Sequence, residues 1–300
     1  MPSLWMIAAS FLFACMGVCV KISSAHFGVG ELTIYRGLVA LGVSFALLRF
    51  GRIPAATPHW RMQLSRGVAG SVALAAYYYA IGILPLATAV TLNYTSPIFV
   101  ALILALWMRE RVAWPLATAV LIGFAGVVLL LRPTLQADQW PGAAAGLLSG
   151  LIASVAYINV RELGQLGEPE SRTVFWFSAL TLILGLAWTL LTGGFHPVPL
   201  ADLPALLGVG LFAALAQLAM TRSYRYGKTL VSANLAYSTV IFASLFGVVL
   251  WGEHLPVAAW LAIGLIILSG LVISLAANRP SGPVSQSPLQ TAAQASASND

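Results

Sequence analysis

Residues 86–100, LATAVTLNYTSPIFV, place hydrogen-bonding side chains inside an otherwise apolar run of the chain. The amide of Asn93 would cost several kcal/mol if it were left unpaired in hydrocarbon, so it must face another helix or a polar cavity. Tyr94 adds an aromatic ring and a hydroxyl that donates and accepts hydrogen bonds. Side chains of these types suit either reversible binding of a small molecule or hydrogen bonding between helices, and both alternatives remain open.

A similar pattern returns in residues 230–244, LVSANLAYSTVIFAS. A shift of 143 residues pairs Tyr94 with Tyr237, and it places Asn234 opposite Thr91. Two tyrosines at matching positions would present two rings to an aromatic substrate, and packing between helices is the alternative. Asn234 invites the same two interpretations as Asn93.

Other polar or aromatic residues also lie within apolar runs. Gln217 interrupts LFAALAQLAM and is expected to form a hydrogen bond there. Tyr78 belongs to three consecutive tyrosines, which point about 100° apart on a helix and so cannot all face one cavity. For Tyr78 and Trp176 the alternative is an aromatic position at the membrane interface. The candidate substrate-binding residues are Tyr78, Asn93, Tyr94, Tyr157, Trp176, Gln217, Asn234 and Tyr237.

A second group of residues suggests structural or gating roles. Arg36 lies about a turn and a half inside its apolar run, deep enough to need a partner. That partner is either an acidic side chain, which would lock two helices together, or the carboxylate of a substrate. Gly142, Gly146 and Gly150 form two successive GxxxG steps, which allow a neighbouring helix to approach closely.

The elements that position these residues follow from composition. The chain has 300 residues, of which 59% are hydrophobic and 8% charged, whereas soluble domains carry about 25% charged residues. Apolar runs of about 20 residues, long enough to cross a membrane as helices, recur along the chain. They cover 3–22, 30–49, 64–84, 86–107, 112–131, 142–161, 172–192, 201–221, 229–251 and 255–277. We therefore predict an all-α membrane protein with ten transmembrane helices.

The distribution of positive charge predicts the orientation. Of the 15 Lys and Arg, all but Lys21, Arg36 and Arg132 lie beside alternate loops or in the tail, as the positive-inside rule describes. With an even number of spans, both termini are then cytoplasmic. The net charge of +6 is therefore a topology signal, and no nucleic-acid partner is expected.

The repeat divides the chain into halves of about five helices, residues 1–133 and 134–278, followed by a disordered cytoplasmic tail at 279–300. Because five is odd, the second half enters the membrane inverted. Inverted repeats of this kind build many secondary transporters, whose substrate sites lie between the repeats near the midplane.

Four motifs carry a resemblance to a known family: YRGLVA around Arg36, PIFVALILALWMRERV from Pro97, LIGFAGVVLL at 121–130 and VIFASLFGVVLWGEHL at 240–255. They resemble the EamA-type branch of the drug/metabolite transporter superfamily, and most of all its YddG-type bacterial exporters of aromatic amino acids. The resemblance implies ten helices, a bacterial inner-membrane location and export of Phe, Tyr, Trp and related compounds. The family often has a proline in the ninth span, where this chain has Val240, so we expect a straighter helix there than at Pro97.

The expected function is downhill export by alternating access through a central cavity, because no Asp or Glu lies at the centre of any predicted span. A broad-specificity drug or metabolite exporter with proton coupling is the alternative. An intramembrane enzyme is disfavoured, since all four histidines lie in loops or at span ends and no HExxH motif occurs. We expect amino acids and the lipid bilayer as partners and neither metal nor cofactor, with monomer and homodimer both open.

Overall fold

The computed structural model describes residues 2–84, 86–110, 112–131, 137–192, 194–252 and 257–277. Within these ranges the regular elements are helices, and there are no strands. Seven helices there are long and apolar enough to cross a membrane, and two shorter apolar helices lie at Trp114–Leu129 and Val257–Ile273. The prediction of an all-α membrane protein is therefore confirmed.

The helices form ten units along the described chain, and these units coincide with the ten apolar runs. Two of these units are interrupted. The fourth consists of α4 (Leu86–Asn93), α5 (Ser96–Leu102) and a following π-helical turn at Ile103–Trp107, and the ninth consists of α10 (Thr229–Leu235) and α11 (Ser238–Trp251). The bounds are α1 Trp5–Ser23, α2 Val29–Phe50, α3 Trp60–Ile83, α4 Leu86–Asn93, α5 Ser96–Leu102, α6 Trp114–Leu131, α7 Trp140–Gln165, α8 Glu170–Leu191, α9 Leu203–Tyr226, α10 Thr229–Leu235, α11 Ser238–Trp251 and α12 Val257–Ala277.

Apolar residues surround these helices on the outside of the molecule as well as inside it. Trp107, Val249 and Leu275 are all largely exposed, as are many other leucines and valines. A soluble monomer rarely exposes apolar surface on this scale, because water would penalise it. Such a surface is suited to contact with lipid, and the polar side chains are left for the interior.

The helices pack in antiparallel pairs around a central contact between the two interrupted units. α1 packs on α9, α2 on α8, α3 on α7 and α6 on α12, while α5 touches α10 at the centre. Small residues allow the close approaches. A Cβ added to Gly37 on α2 would lie 3.0 Å from the backbone nitrogen of Leu182 on α8, so a larger residue would push these helices apart.

The interruption of the fourth unit lies just before Pro97. The chain changes there to tighter i→i−3 hydrogen bonding, with the Thr95 amide donating to the Leu92 carbonyl at 3.2 Å. The Thr95 hydroxyl donates to the same carbonyl at 2.6 Å. Pro97 lies at the start of α5, a position where its missing N–H costs no helical bond.

The ninth unit is interrupted at the equivalent place although it has no proline, and after the interruption it continues as the α-helix α11 without a π-helical turn. The Tyr237 amide bonds the Asn234 carbonyl at 3.1 Å, and the Ser238 hydroxyl donates to the Leu235 carbonyl at 2.6 Å. A side-chain hydroxyl that bonds the backbone in this way competes with regular helical bonding. Ser238 thus occupies the same role as Thr95, 143 positions earlier.

Three glycines of α7 lie where that helix crosses its neighbours: Gly142 faces the end of α3, and Gly146 and Gly150 face the fourth unit. A Cβ on Gly142 would meet Ile83 at 2.9 Å, one on Gly146 would meet Leu92 at 3.0 Å, and one on Gly150 would meet the Thr95 hydroxyl oxygen at 2.5 Å. Their lack of side chains brings α7 directly against the interruption. These contacts match the structural role expected of a GxxxG pattern.

Candidate functional site

The two tyrosines of the repeat meet at the centre of the molecule. Tyr94 lies in the turn between α4 and α5, and Tyr237 lies in the turn between α10 and α11. Their ring centroids are 6.2 Å apart, with the ring planes inclined by 42°. Tyr237 is fully buried, and its hydroxyl has no hydrogen-bond partner among the described residues, whereas Tyr94 is half-buried and bonds the Thr239 side chain.

The two asparagines beside these tyrosines form bonds between helices. The Asn93 amide donates to the Ser149 hydroxyl of α7 at 3.0 Å, and the Asn234 amide donates to the Ser269 hydroxyl of α12 at 3.3 Å. The Asn234 carbonyl oxygen finds no partner in the described part of the chain. This conformation therefore uses both amides to hold the interrupted units against their neighbours.

Tyr157 of α7 belongs to the same interior. It stacks on Tyr224 of α9 with ring centroids 5.3 Å apart and planes inclined by 13°. Tyr157 also lies near Tyr94 and the guanidinium of Arg66. It therefore connects the central pair of tyrosines with the positive charge on α3.

Arg66 is 2% exposed and lies deep in the helical bundle. Its Nη2 donates to the Gln217 side-chain oxygen at 3.2 Å, while its Nε and Nη1 have no partner among the described residues. Its guanidinium carbon lies 3.9 Å from the centre of the Phe177 ring. Gln217 therefore has the hydrogen-bond partner expected from its position in an apolar helix.

Arg36 approaches the same phenylalanine from α2. It is 8% exposed, and its guanidinium carbon lies 5.9 Å from the centre of the Phe177 ring. It pairs with no Asp or Glu in the described ranges. Glu31, the acidic residue of the same helix, instead binds His196, with 2.6 Å to the His196 amide and 2.8 Å to its ring. The alternative of a helix-locking ion pair is therefore not realised here.

Trp176 lies away from the tyrosines. Its indole N–H donates to the Ala55 carbonyl at 3.1 Å, and Arg172 donates to the Pro54 carbonyl at 2.9 Å. Both bonds fasten the loop between α2 and α3 to the start of α8. The side chain of Tyr78 lies outside the described part of the structure.

A cavity of about 280 Å³ opens at the end of the molecule that carries most of the basic residues, called here the arginine-rich end. Two ion pairs flank it, Glu110 with Arg161 at 2.6 Å and Glu170 with Arg225 at 3.2 Å. The cavity reaches inward to Tyr224, the ring that stacks on Tyr157. It thus provides an approach to the central tyrosines from one end of the bundle. The lining residues are Leu104, Glu110, Val112, Leu116, Arg161, Gln165, Tyr224, Arg225, Gly227, Lys228, Thr229 and Leu230.

Sequence reasoning missed Arg66, Phe177 and Tyr224. Arg66 was grouped with the arginines beside loops, but α3 begins at Trp60, so Arg66 lies nearly two turns inside the helix. An available signal was its place within the apolar run 64–84. Phe177 and Tyr224 carry no comparable signal, because aromatic residues are common in membrane helices.

Comparison with known proteins agrees with this architecture. The sequence profile described as the EamA-like transporter family matches residues 1–132 and 140–275. The pseudopaline exporter of Pseudomonas aeruginosa is 28% identical over 263 residues, which cover 87% of this chain and 91% of that protein. A riboflavin transporter of Vibrio cholerae is 25% identical, with 89% of this chain and 90% of that protein covered. A solved crystal structure shares the fold, with a TM-score of 0.82 at 21% identity, covering 93% of this chain and 99% of that one.

Proposed function

We propose that this chain, which belongs to the EamA-like transporter family, exports aromatic amino acids and related small metabolites across a bacterial inner membrane. Its apolar helices and its transporter relatives make it a multi-pass membrane transporter. The two relatives described above are named for pseudopaline and riboflavin. The aromatic amino acids are therefore our assignment, and it rests on the side chains at the centre of this molecule.

The observation that carries the proposal is the contact between Tyr94 and Tyr237. Aromatic rings attract one another in offset or edge-to-face arrangements when their centroids are about 4.5–7 Å apart, and the 6.2 Å between these rings lies in that range. A substrate ring would replace this mutual contact with contacts of the same kind. The pair would therefore accept an aromatic substrate and close on itself when the substrate leaves.

The proposed mechanism is alternating access between two inverted repeats, residues 1–133 and 134–278. The repeat makes α1 equivalent to α7 and α3 equivalent to α9, and the contacts agree with this relation because α1 packs on α9 and α3 packs on α7. The contacts α2–α8 and α6–α12 each join equivalent helices, and the contact α5–α10 joins the equivalent fourth and ninth units. Rocking of one repeat against the other would expose the central tyrosines to each side in turn.

The direction of transport follows from the proposed orientation. The positive-inside rule makes the arginine-rich end cytoplasmic, together with both termini and the tail at 279–300. The cavity of about 280 Å³ then opens to the cytoplasm, where an exported substrate would enter. At the opposite end, Glu31 pairs with His196, and His26 pairs with Asp202 at 2.8 Å, which holds that side together.

We propose downhill transport without a membrane-buried carboxylate. Within the described ranges, Glu31 lies in the first turn of α2 and Glu162 lies three residues from the end of α7, so neither is near the centre of its helix. The alternative is a broad-specificity, proton-coupled exporter. The different compounds named for two relatives favour the wider substrate range of that alternative.

Flux measurements in proteoliposomes test the proposal. Purified protein would be reconstituted, and the movement of radiolabelled Phe, Trp, Leu, Lys and riboflavin followed with and without an imposed pH gradient. We expect Phe and Trp to move and Lys to remain. Movement of none of the amino acids would overturn the substrate assignment, and strong acceleration by the gradient alone would overturn downhill transport.

A further inference from the structure

We infer that Arg36 and Arg66, whose guanidinium groups both lie over the Phe177 ring, form a binding site for a carboxylate of the transported substrate. The inference deepens the proposed function, on which it rests. It assigns the substrate class as organic acids, a class that includes the α-carboxylate of an amino acid. The residues that carry it lie on α2, α3, α8 and α9.

The two guanidinium groups are close to each other. Their carbons lie 5.9 Å and 3.9 Å from the centre of the same ring, so they are within about 10 Å of one another, a range over which charges interact strongly inside a membrane protein. The charge of Arg36 also acts on Arg66. Two like charges placed together repel, which raises the cost of keeping both buried.

The described protein groups compensate only in part for the cost of burying these two positive charges. The faces of Phe177 attract a cation, and Gln217 accepts one hydrogen bond from Arg66. An arginine has five N–H donors, and Nε and Nη1 of Arg66 remain unpartnered within the described chain. No described carboxylate pairs with either arginine. A buried cation of this kind requires an anion, and a substrate carboxylate would supply it.

The surroundings are shaped for the guanidinium of Arg66. A Cβ added to Gly70, one turn further along α3, would lie 2.5 Å from Nη1 of Arg66 and 2.8 Å from the Phe177 ring. Glycine at this position therefore leaves room for the guanidinium over the ring, with Nε and Nη1 available. Nε and Nη1 lie on different edges of the guanidinium, so a carboxylate would accept from one of them, or from Nη1 together with Nη2 if Gln217 releases Nη2.

A small cavity of about 10 Å³ adjoins Arg36 and is also lined by Phe177, Thr181 and Gln217, the residue that accepts a hydrogen bond from Arg66. It offers roughly the room of one water molecule. The Thr181 hydroxyl, which is buried, has no partner among the described residues and adds a further hydrogen-bonding group. A carboxylate would enter only when α2 and α8 separate, so binding of the anion would favour a conformation different from this one.

The position of Tyr157 connects the two sites. It lies near both Arg66 and Tyr94. A substrate whose ring lies against the central tyrosines and whose acid group extends past Tyr157 would place its carboxylate near Arg66. The arrangement selects against aromatic amines that lack an acid group.

The test compares three compounds that share one ring in proteoliposomes carrying the full-length protein. Phenylalanine has both charged groups, phenylpyruvate keeps only the carboxylate, and phenylalaninamide keeps only the ammonium. We expect phenylalanine and phenylpyruvate to move and phenylalaninamide to move at least about tenfold more slowly, since charged hydrogen bonds are lost. If phenylalaninamide moves as fast as phenylalanine, the carboxylate site is excluded while the proposed export survives; if none of the three moves, the proposed export fails.

Variants assign the effect to the arginines. Arg66→Gln and Arg36→Gln should reduce phenylalanine flux at least about tenfold and abolish the preference over phenylalaninamide. Arg66→Lys keeps the charge without the paired donors and should recover part of the preference. Arg61→Gln, at an exposed position of the same helix, is the matched control and should leave the preference unchanged. If Arg66→Gln still transports phenylalanine in preference to phenylalaninamide, the proposed carboxylate site is wrong. If a variant does not fold, the comparison of the three compounds on the unaltered protein tests the site instead.

Discussion

Tyr94 and Tyr237 face each other with ring centroids 6.2 Å apart, each in the turn that interrupts a membrane-crossing unit. The interruptions are equivalent in sequence as well as in space, since Thr95 and Ser238 bond the carbonyls of Leu92 and Leu235 in the same way. The proposed repeat thus places Tyr94 and Tyr237, at equivalent positions of the two halves, in contact with each other at the centre of the molecule. Four predictions follow from this arrangement and its surroundings.

The tyrosine rings should determine transport of aromatic substrates. Tyr94→Ala and Tyr237→Ala should each reduce Phe and Trp flux about tenfold, because a ring contact contributes roughly 0.5–1.5 kcal/mol beyond its buried area. Tyr237→Phe should leave flux nearly unchanged, since it removes a hydroxyl without a described partner. The measurement is proteoliposome flux, and loss of transport in Tyr237→Phe as severe as in Tyr237→Ala would argue against a role for the ring.

The interruptions should depend on the two hydroxyls. Thr95→Val and Ser238→Ala should each lower the free energy of unfolding by about 1 kcal/mol through loss of a buried hydrogen bond, and should slow transport as regular helical bonding becomes more favourable. Thermal unfolding in detergent and flux together check this. Thr118→Val is the control, because the Thr118 hydroxyl donates to the Pro115 carbonyl, three residues before it, within an uninterrupted, exposed stretch of α6. An equal loss of stability and transport in all three variants would show that hydroxyl bonds at the interruptions contribute no more than one within a regular helix.

Gly70 should control the position of the Arg66 guanidinium. Gly70→Ala would place a Cβ 2.5 Å from Nη1 of Arg66 and should raise KM for Phe several-fold, because the guanidinium must leave the Phe177 ring. Gly42→Ala on α2 is matched to it, since a Cβ there meets nothing within 4 Å. The KM of each variant is measured from Phe flux at increasing Phe concentration. An unchanged KM in Gly70→Ala would show that the position of the Arg66 guanidinium does not affect substrate binding.

Trp176 should stabilise the protein without selecting substrates. Trp176→Phe removes the hydrogen bond to the Ala55 carbonyl and should lower the free energy of unfolding by about 1 kcal/mol. The ratio of Trp to Leu flux should stay the same, because the indole fastens the loop between α2 and α3. Thermal unfolding measures the loss of stability, and flux assays with Trp and Leu in parallel measure the substrate ratio. A changed flux ratio would return Trp176 to the substrate site, where the sequence placed it.

The interior of the ninth unit shows where sequence reasoning stops. The lack of a proline at Val240 predicts a straighter helix there than at Pro97, yet both units are interrupted. A serine hydroxyl bonds the backbone at the second interruption, and the sequence contains many serines and threonines that bond carbonyls within regular helices, such as Ser44 to Ala40 at 2.7 Å. The sequence does not show that the hydrogen bond from Ser238 to the Leu235 carbonyl lies at an interruption of the helix, because that depends on the packing around Ser238.

The sequence by itself determined the ten apolar runs, the likeness of residues 86–100 to 230–244 and the need of Gln217 for a partner. These features are local, because membrane thickness sets the length of a helix and hydrocarbon penalises each unpaired polar group separately. The tertiary structure alone decided that Arg66 is buried beside Phe177 and that Arg36 joins it without a described acid. Those contacts join four helices from both halves of the chain, and they depend on helix rotation and depth, which the hydrophobicity of one segment does not specify.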